Sequence, residues 1–432
     1  MSPIKQHRRI LAASLVGTAV EFYDFYVYAT AAALVLGPLF FPAESASAQL
    51  LLSLMSFGLA FVARPVGAIA FGHFGDRIGR KSTLVVSLML MGISTLLIAF
   101  LPTYHMTLPN GQQVCWVAPF LLCILRFGQG FGLGGEWGGA ALLAVENAPK
   151  GWEARFGAAP QLGAPVGFLA ANGLYLLLGL WLSEADFFAW GWRVPFLLSA
   201  ILVGLGLWVR LRIGETQAFA QALDDAPPPS LPISDILRGH GVRLIAGGAG
   251  VIACFAIFYL STAFALGHMT TARGVDRETM LALQLGANLF LALGIVVAAI
   301  RGDFTSSKAV LMWGALGTVA LGFIFGPAIA EGSLPVVFVT LCVALFIMGL
   351  VYGPLGSWLP TLFPVTLRYT GISIAFNGGG IIGGAVAPIA AQMLSGAGGT
   401  SMVGLFLSAA GAVTLLGVFL GKETKPKPYA AV

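Results

Sequence analysis

Four ionisable residues lie inside long apolar stretches: Glu21 and Asp24 close to the amino terminus, and Arg126 and Glu136 further along the first half. An ionised side chain at mid-bilayer costs about 2.5 to 3.5 kcal/mol on insertion scales, so residues of this kind are kept for chemistry or for pairing. Glu21 and Asp24 are spaced i, i+3, which puts both carboxylates on one face of a helix; Arg126 and Gln129 share that spacing on another. The chemistry open to a buried acid facing a guanidinium is proton exchange. The ionised carboxylate pairs with the arginine, and protonation cancels the attraction and frees the guanidinium for a substrate or a second acid. Asp24 with Arg126 is the pair expected to act so, on faces expected to meet; a permanent bridge that only fixes packing is the alternative. Glu21 is a further acid on the Asp24 face. Glu136, flanked by glycines, reads equally as a second proton site, a substrate contact or a partner of Arg64, while Arg64 reads as an interfacial arginine extending its head to water.

The elements that must position these residues follow from composition. The 432 residues are 58% hydrophobic and 9% charged, with a mean hydropathy of +0.89, against about 25% charged in an ordinary soluble domain. Twelve apolar stretches are each long enough to cross a ~30 Å hydrocarbon core. They lie near 10–40, 48–73, 83–101, 117–147, 156–182, 191–211, 243–268, 280–300, 309–328, 333–362, 371–395 and 401–421. The runs are continuous, and an open sheet edge would leave backbone groups unpaired in lipid, so the expected fold class is an all-α membrane protein with twelve transmembrane helices. A cleaved secretory signal is not expected, because the first run holds Glu21 and Asp24 and no small-residue cleavage site.

Lys and Arg placement sets the orientation. With the amino terminus inside, the cytoplasmic set is large (Lys5, Arg77, Arg80, Lys81, Lys150, Arg155, Arg301, Lys308 and Arg368 among others) and the external set is Arg193, Arg273 and Arg277. Both termini are therefore expected in the cytoplasm. The net charge of +5 reflects this topology, and nucleic-acid binding is not expected. A Pro-rich, charged segment with Asp224, Asp225 and Pro227 to Pro229 divides the chain. The predicted organisation is an amino-terminal six-helix bundle over 1–213, a cytoplasmic linker over 214–240 and a carboxyl-terminal six-helix bundle over 241–432, with a site between the bundles near mid-membrane.

The loop Gly72-His73-Phe74-Gly75-Asp76-Arg77-Ile78-Gly79-Arg80-Lys81 fits G-x-x-x-D-[RK]-x-G-[RK]-[RK] at every fixed position and resembles the loop signature of the major facilitator superfamily. Further segments resemble its metabolite:proton symporters, which include permeases for proline and betaine, oxoglutarate, citrate and shikimate. They are Glu21-Phe22-Tyr23-Asp24-Phe25, Arg64-Pro65-Val66-Gly67, Gly134-Gly135-Glu136-Trp137-Gly138-Gly139, Gly191-Trp192-Arg193-Val194-Pro195-Phe196, Leu362-Phe363-Pro364 and Arg368-Tyr369-Thr370-Gly371. Trp137 stands where a tyrosine is frequent, and Thr361 where a glutamate often is. The resemblance implies a conformational latch in which Asp76 faces the start of the eleventh helix while Arg77, Arg80 and Lys81 pair with acids such as Glu146. The tight turn itself is supplied by Gly75 and Gly79, Gly72 being the first fixed position of the motif. The resemblance also implies an acid in helix 1 facing an arginine in helix 4, which Asp24 and Arg126-x-x-Gln129-Gly130 match.

No deep charge is evident in the second half, so its share of a central cavity is expected to be polar and aromatic. Tyr259, Gln284, Asn288, Tyr352, Trp358 and Asn377 are the candidates, with Arg126 and Gln129 from the first half. For each of the six, ordinary helix packing is at least as good an account. Gly130-Phe131-Gly132-Leu133-Gly134-Gly135 matches a dinucleotide fingerprint but sits within a membrane helix, where glycines serve close helix approach. The four cysteines and five histidines are scattered, and neither metal nor cofactor is expected. The expected function is import of a small metabolite, an organic carboxylate or zwitterion, by a monomeric inner-membrane proton symporter rather than an enzyme. A uniporter or exchanger of the same fold is the alternative.

Overall fold

A computed structural model describes residues 7–78, 80–107, 111, 114–212, 232–364 and 367–422. Among them the chain is helical apart from turns and short loops. We label the long rods in chain order: α1 Arg8–Leu34, α2 Ala46–Ile78, α3 Arg80–Ile98, α4 Val117–Glu146, α5 Glu153–Trp181, α6 Gly191–Trp208, α7 Ile236–Thr271, α8 Arg277–Phe304, α9 Ser307–Glu331, α10 Leu334–Leu362, α11 Arg368–Gly398 and α12 Thr400–Leu420. Ten are long and apolar enough to cross a membrane. The other two are α1, whose apolar run is interrupted by Glu21, Asp24 and three tyrosines, and α3, which is apolar over Val85–Ile98. The predicted stretches coincide with these rods to within a few residues. One local difference is the predicted linker, whose final part is helical from Pro232, with a break at His240 (φ −133°, ψ 18°).

Helices α1 to α6 pack chiefly on one another, as do α7 to α12, and the two groups meet along α5 with α8 and α2 with α11. Outward faces are apolar: Trp181 is 78% exposed and Ile245 75%, which water would penalise and lipid does not. Lipid supplies no hydrophobic drive between helices, so close backbone packing must hold each group together. Glycines provide it. A Cβ at Gly67 would fall on the Phe131 carbonyl, one at Gly130 on the Ala60 backbone and one at Gly134 on the Arg64 carbonyl, so α2 and α4 touch main chain to main chain. Gly379 and Gly383 of α11 lie equally close to the Gly248 and Ile252 carbonyls of α7. The fingerprint-like glycines of α4 are thus packing residues.

Three local departures from α geometry interrupt these helices. Pro65 removes one intrahelical hydrogen bond beside Arg64. Wide π turns run over Leu260–Phe264 in α7 and Ile381–Val386 in α11, a distortion that recurs at functional sites. At the rim, Arg193 Nη1 donates to the Ala99 and Leu101 carbonyls (2.7 and 2.8 Å), closing the end of α3.

Candidate functional site

Glu21, Asp24, Arg64, Arg126, Gln129 and Glu136 are all buried. The faces of α1 and α4 meet as expected: Gln129 Nε2 donates to the Asp24 backbone carbonyl (3.1 Å) and to Thr95 Oγ1 (2.9 Å). The side-chain pairing does not form. Both Asp24 carboxylate oxygens are buried without a hydrogen-bond partner, in the neighbourhood of the Thr95 and Ser199 hydroxyls. Arg126 Nη1 donates instead to Gln129 Oε1, and Nη2 to the Phe57 carbonyl at 3.4 Å. Its guanidinium lies over the rings of Tyr28 (4.0 Å), Phe25 (4.4 Å) and Phe57 (5.0 Å). Aromatic faces and a side-chain amide one turn away thus take the place the carboxylate was expected to hold.

Arg64 corrects the interfacial reading. The apolar span of α2 runs to Phe71, so Arg64 sits roughly 10 Å along the axis inside it. It is 5% exposed, lies over Phe25 (4.3 Å) and Phe61 (4.8 Å), and is within electrostatic reach of Glu21, Tyr26, Tyr259 and Tyr352. Two guanidinium groups therefore share the Phe25 ring. Glu136 accepts a hydrogen bond from Ser87 Oγ (3.2 Å) and lies within electrostatic reach of Asp24.

The second-half candidates divide. Gln284 of α8 gives its amide hydrogens to the carbonyls of Ser261 and Thr262 on the π turn (3.0 and 2.9 Å), leaving its buried Oε1 without a partner. It lines a small cavity, with room for about one water-sized group, together with Thr262, Tyr26, Thr30, Phe168 and Asn172. Thr30 Oγ1 donates to Asn172 Oδ1 (2.5 Å), and Asn172 Nδ2 has no partner. The cavity thus offers one unused donor and one unused acceptor from opposite helix groups, suited to a hydroxyl or amine on a small molecule. Tyr259 and Tyr352 also lie where the groups meet. The Tyr259 ring contacts Phe57 (5.0 Å) and Phe61 (5.5 Å), and the Tyr352 ring contacts Phe22 (6.3 Å).

Asn288 and Asn377 fasten the groups instead of lining the cavity. Asn288 Nδ2 donates to the Pro165 carbonyl (2.9 Å), and Asn377 Nδ2 to the carbonyls of Gly134 (2.8 Å) and Ser373 (2.9 Å). Trp358 is a correction: its indole packs on Gly250 and Gly421, between α7 and α12, because those glycines leave a slot for it. Predicted depth did not separate these cases, because it carries no information on which way a side chain faces. Tyr26, Thr30 and Asn172 were missed, although a lone asparagine inside the apolar run of α5 was a readable signal.

One end of the molecule carries charged contacts between the helix groups. The side chains of Asp76, Arg77, Arg80 and Lys81, the side-chain setting of Gly72, and Gly79 altogether lie outside the described residues. Glu146, expected to meet those cations, faces Arg368 across the groups at 4.0 Å. Both are partly exposed, so this pair contributes about 0 to 1 kcal/mol. The last turn of α8 is more tightly bound across the groups. Asp303 pairs with Arg155 (3.1 Å) and accepts from the Ala154 N–H in the first turn of α5 (2.8 Å), joining a carboxylate to a helix amino terminus. At the same end Trp137 stacks on Phe376 with centroids 3.6 Å apart, Tyr369 Oη donates to the Gly135 carbonyl (2.7 Å), and Gln161 Nε2 to the Tyr352 carbonyl (3.2 Å). At the opposite end Gln392 Nε2 donates to Ser47 Oγ (2.9 Å).

Replacing Asp303 tests this contact as a latch. Asp303→Asn removes the charge-assisted bonds and is expected to favour separation of α5 from α8 by about 1.5 to 3 kcal/mol, at least tenfold in population. A cysteine at the buried Ser357 position should then react with maleimide at least about tenfold faster. Unchanged reactivity would remove Asp303 from the latch.

Long apolar helices in two packed groups around a charged, partly unsatisfied centre define a membrane carrier of the major facilitator fold. Residues 10–225 match the family model "Sugar (and other) transporter". The chain is 43% identical over 410 residues to the inner membrane metabolite transport protein YhjE of Escherichia coli, covering 94% of this chain and 92% of that one. It is 34% identical to the shikimate transporter of the same organism, over 90% and 88% of the two chains. The proline/betaine transporter of Escherichia coli is 30% identical, over 90% and 78%. In three dimensions the chain is similar to the proton:xylose symporter XylE, with a TM-score of 0.74, 16% identity and 94% coverage of each chain. The chain belongs to the sugar (and other) transporter family of the major facilitator superfamily, and it is a multi-pass protein of the inner membrane.

Proposed function

We propose that this chain imports a small metabolite, an organic carboxylate or a zwitterion, in symport with protons by alternating access, and acts as a monomer. Asp24 is the proton-carrying acid in this reading, with Arg126 as the cation whose balance it controls and Glu21 and Glu136 as neighbouring acids. The observation that carries the reading is the Asp24 carboxylate, buried without a hydrogen-bond partner in a centre that also holds Arg126 and Arg64. Such a charge must be offset by a cation or by a proton, and moving between those two conditions changes what the centre can accept. The relatives named for shikimate and for proline and betaine support a small cargo bearing a carboxylate. We further propose twelve spans, adding α1 and α3 to the ten apolar rods, with both termini and the latch end in the cytoplasm. The moving bodies are 1–213 and 241–432, joined by 214–240. Asp76 with Arg77, Arg80, Lys81 and Glu146 then reinforces the Asp303 latch.

Uptake into proteoliposomes under an imposed pH gradient tests this. Symport accumulates labelled cargo above its external concentration when the lumen is alkaline, and collapse of the gradient by an ionophore abolishes accumulation. Uptake that requires cargo preloaded inside and ignores the gradient would replace symport with exchange.

A further inference from the structure

We infer that Arg64, rather than Arg126, grips the carboxylate of the cargo; this rests on the carrier reading above. The two arginines differ in what their nitrogens already do. Both terminal nitrogens of Arg126 are engaged, by Gln129 and by the Phe57 carbonyl, and its ring neighbours Phe25, Tyr28 and Phe57 all belong to α1 and α2. Arg64 is stacked on Phe25 and Phe61; the buried Nε of each arginine has no hydrogen-bond partner, so what sets the two apart is that the terminal nitrogens of Arg126 are both taken. A guanidinium held by its flat faces keeps its donor edge available, and that edge matches a carboxylate with two parallel N–H bonds. The groups within electrostatic reach of Arg64 include Tyr259 of α7 and Tyr352 of α10 as well as Glu21 and Tyr26 of α1. Arg64 therefore lies where the helix groups meet, as a cargo site in an alternating carrier must.

Charge balance points the same way. Arg64 and Arg126 lie close enough to repel one another, and a carboxylate arriving at Arg64 relieves that repulsion. The arriving anion also adds negative charge to a centre that already holds Glu21, Asp24 and Glu136. Its entry is favoured when one of those acids is neutral, which ties cargo affinity to protonation without direct contact between cargo and Asp24. The aromatic chain Phe61, Tyr259, Phe258 and Tyr26 links this position to the cavity beside Asn172 and Gln284. There the unused donor and acceptor take the hydroxyl or amine of the same molecule.

The test uses purified full-length protein in proteoliposomes with labelled shikimate, proline, glycine betaine, 2-oxoglutarate and citrate, and D-xylose as a neutral comparison. For the carboxylate that is taken up, exchange is competed by the unlabelled acid and by its methyl ester. Wild type should favour the acid by about 100-fold, and Arg64→Gln should raise KM by a similar factor and bring acid and ester within about threefold. Arg64→Lys, which keeps a cation but loses the fork, should fall between and serves if the glutamine variant does not fold. A purely structural role would lower the amount of active protein and leave the acid-to-ester ratio unchanged. A retained ratio in either variant overturns the proposal. Uptake of D-xylose with none of the acids overturns it while leaving a carrier in place, whereas transport of nothing in either mode removes the carrier reading and this inference with it.

Discussion

Asp24→Asn is expected to abolish accumulation driven by a pH gradient while leaving exchange of labelled for unlabelled cargo in place. Asparagine has nearly the shape of a protonated aspartate and cannot ionise, so the centre is locked in one of its two charge conditions. Exchange needs only that condition, since cargo can enter and leave with the acid neutral. Net uptake needs both, because the empty carrier must return after losing its proton. For one proton carried with a monoanion the electrical part cancels, and an imposed gradient of about two pH units corresponds to about 2.7 kcal/mol, or roughly 100-fold accumulation. The mutant ratio should fall from that value to about 1 at equilibrium. Cargo concentrated by Asp24→Asn vesicles would move the coupling acid to Glu21 or Glu136.

Gly67→Val should cost more than any surface change in the protein. Its new Cβ would occupy the space of the Phe131 carbonyl, and neither partner is a flexible side chain that can turn aside. Separating α2 from α4 by even a methyl group also disturbs the neighbouring Gly130 and Gly134 contacts. We expect loss of about 3 kcal/mol or more, read as loss of the monodisperse protein peak in detergent. Gly17→Ala and Gly173→Ala are the matched comparison, since a Cβ at either position meets nothing within 4 Å. Those two should retain or slightly raise the thermal unfolding midpoint, as alanine is the better helix former by about 0.8 to 1.0 kcal/mol. Equal loss in all three variants would show that helix flexibility, and not close approach, is what Gly67 provides.

Rods, loops and helix contacts were legible because each rests on a one-dimensional signal: apolar length for the spans, glycine for close approach, the i, i+3 spacing for a shared face. Glu21, Asp24, Arg126 and Glu136 stood out because lipid makes ionised groups expensive wherever they point. What a linear pattern does not carry is the partner. Arg126 was matched to Asp24 by charge, whereas in the fold the rings of Phe25, Tyr28 and Phe57 and the amide of Gln129 surround it. Arg64 was misplaced because its burial depends on the rings of Phe25 and Phe61 that close over it in the fold. Trp358 and Asn377 have similar predicted depth, yet one fills a slot between α7 and α12 while the other ties α11 to α4.

The contacts that hold the helix groups together have an evolutionary consequence. Asn377, Tyr369, Asn288 and Gln161 all donate to main-chain carbonyls of the opposite group. A peptide carbonyl survives any substitution of its own side chain, so these fasteners tolerate sequence drift on the accepting side. Residues around the central cavity, such as Thr30, Asn172 and Gln284, are consequently at liberty to diverge without unlocking the gates. A lineage built this way can acquire a new nutrient by changing a few lining side chains while inheriting its moving parts intact.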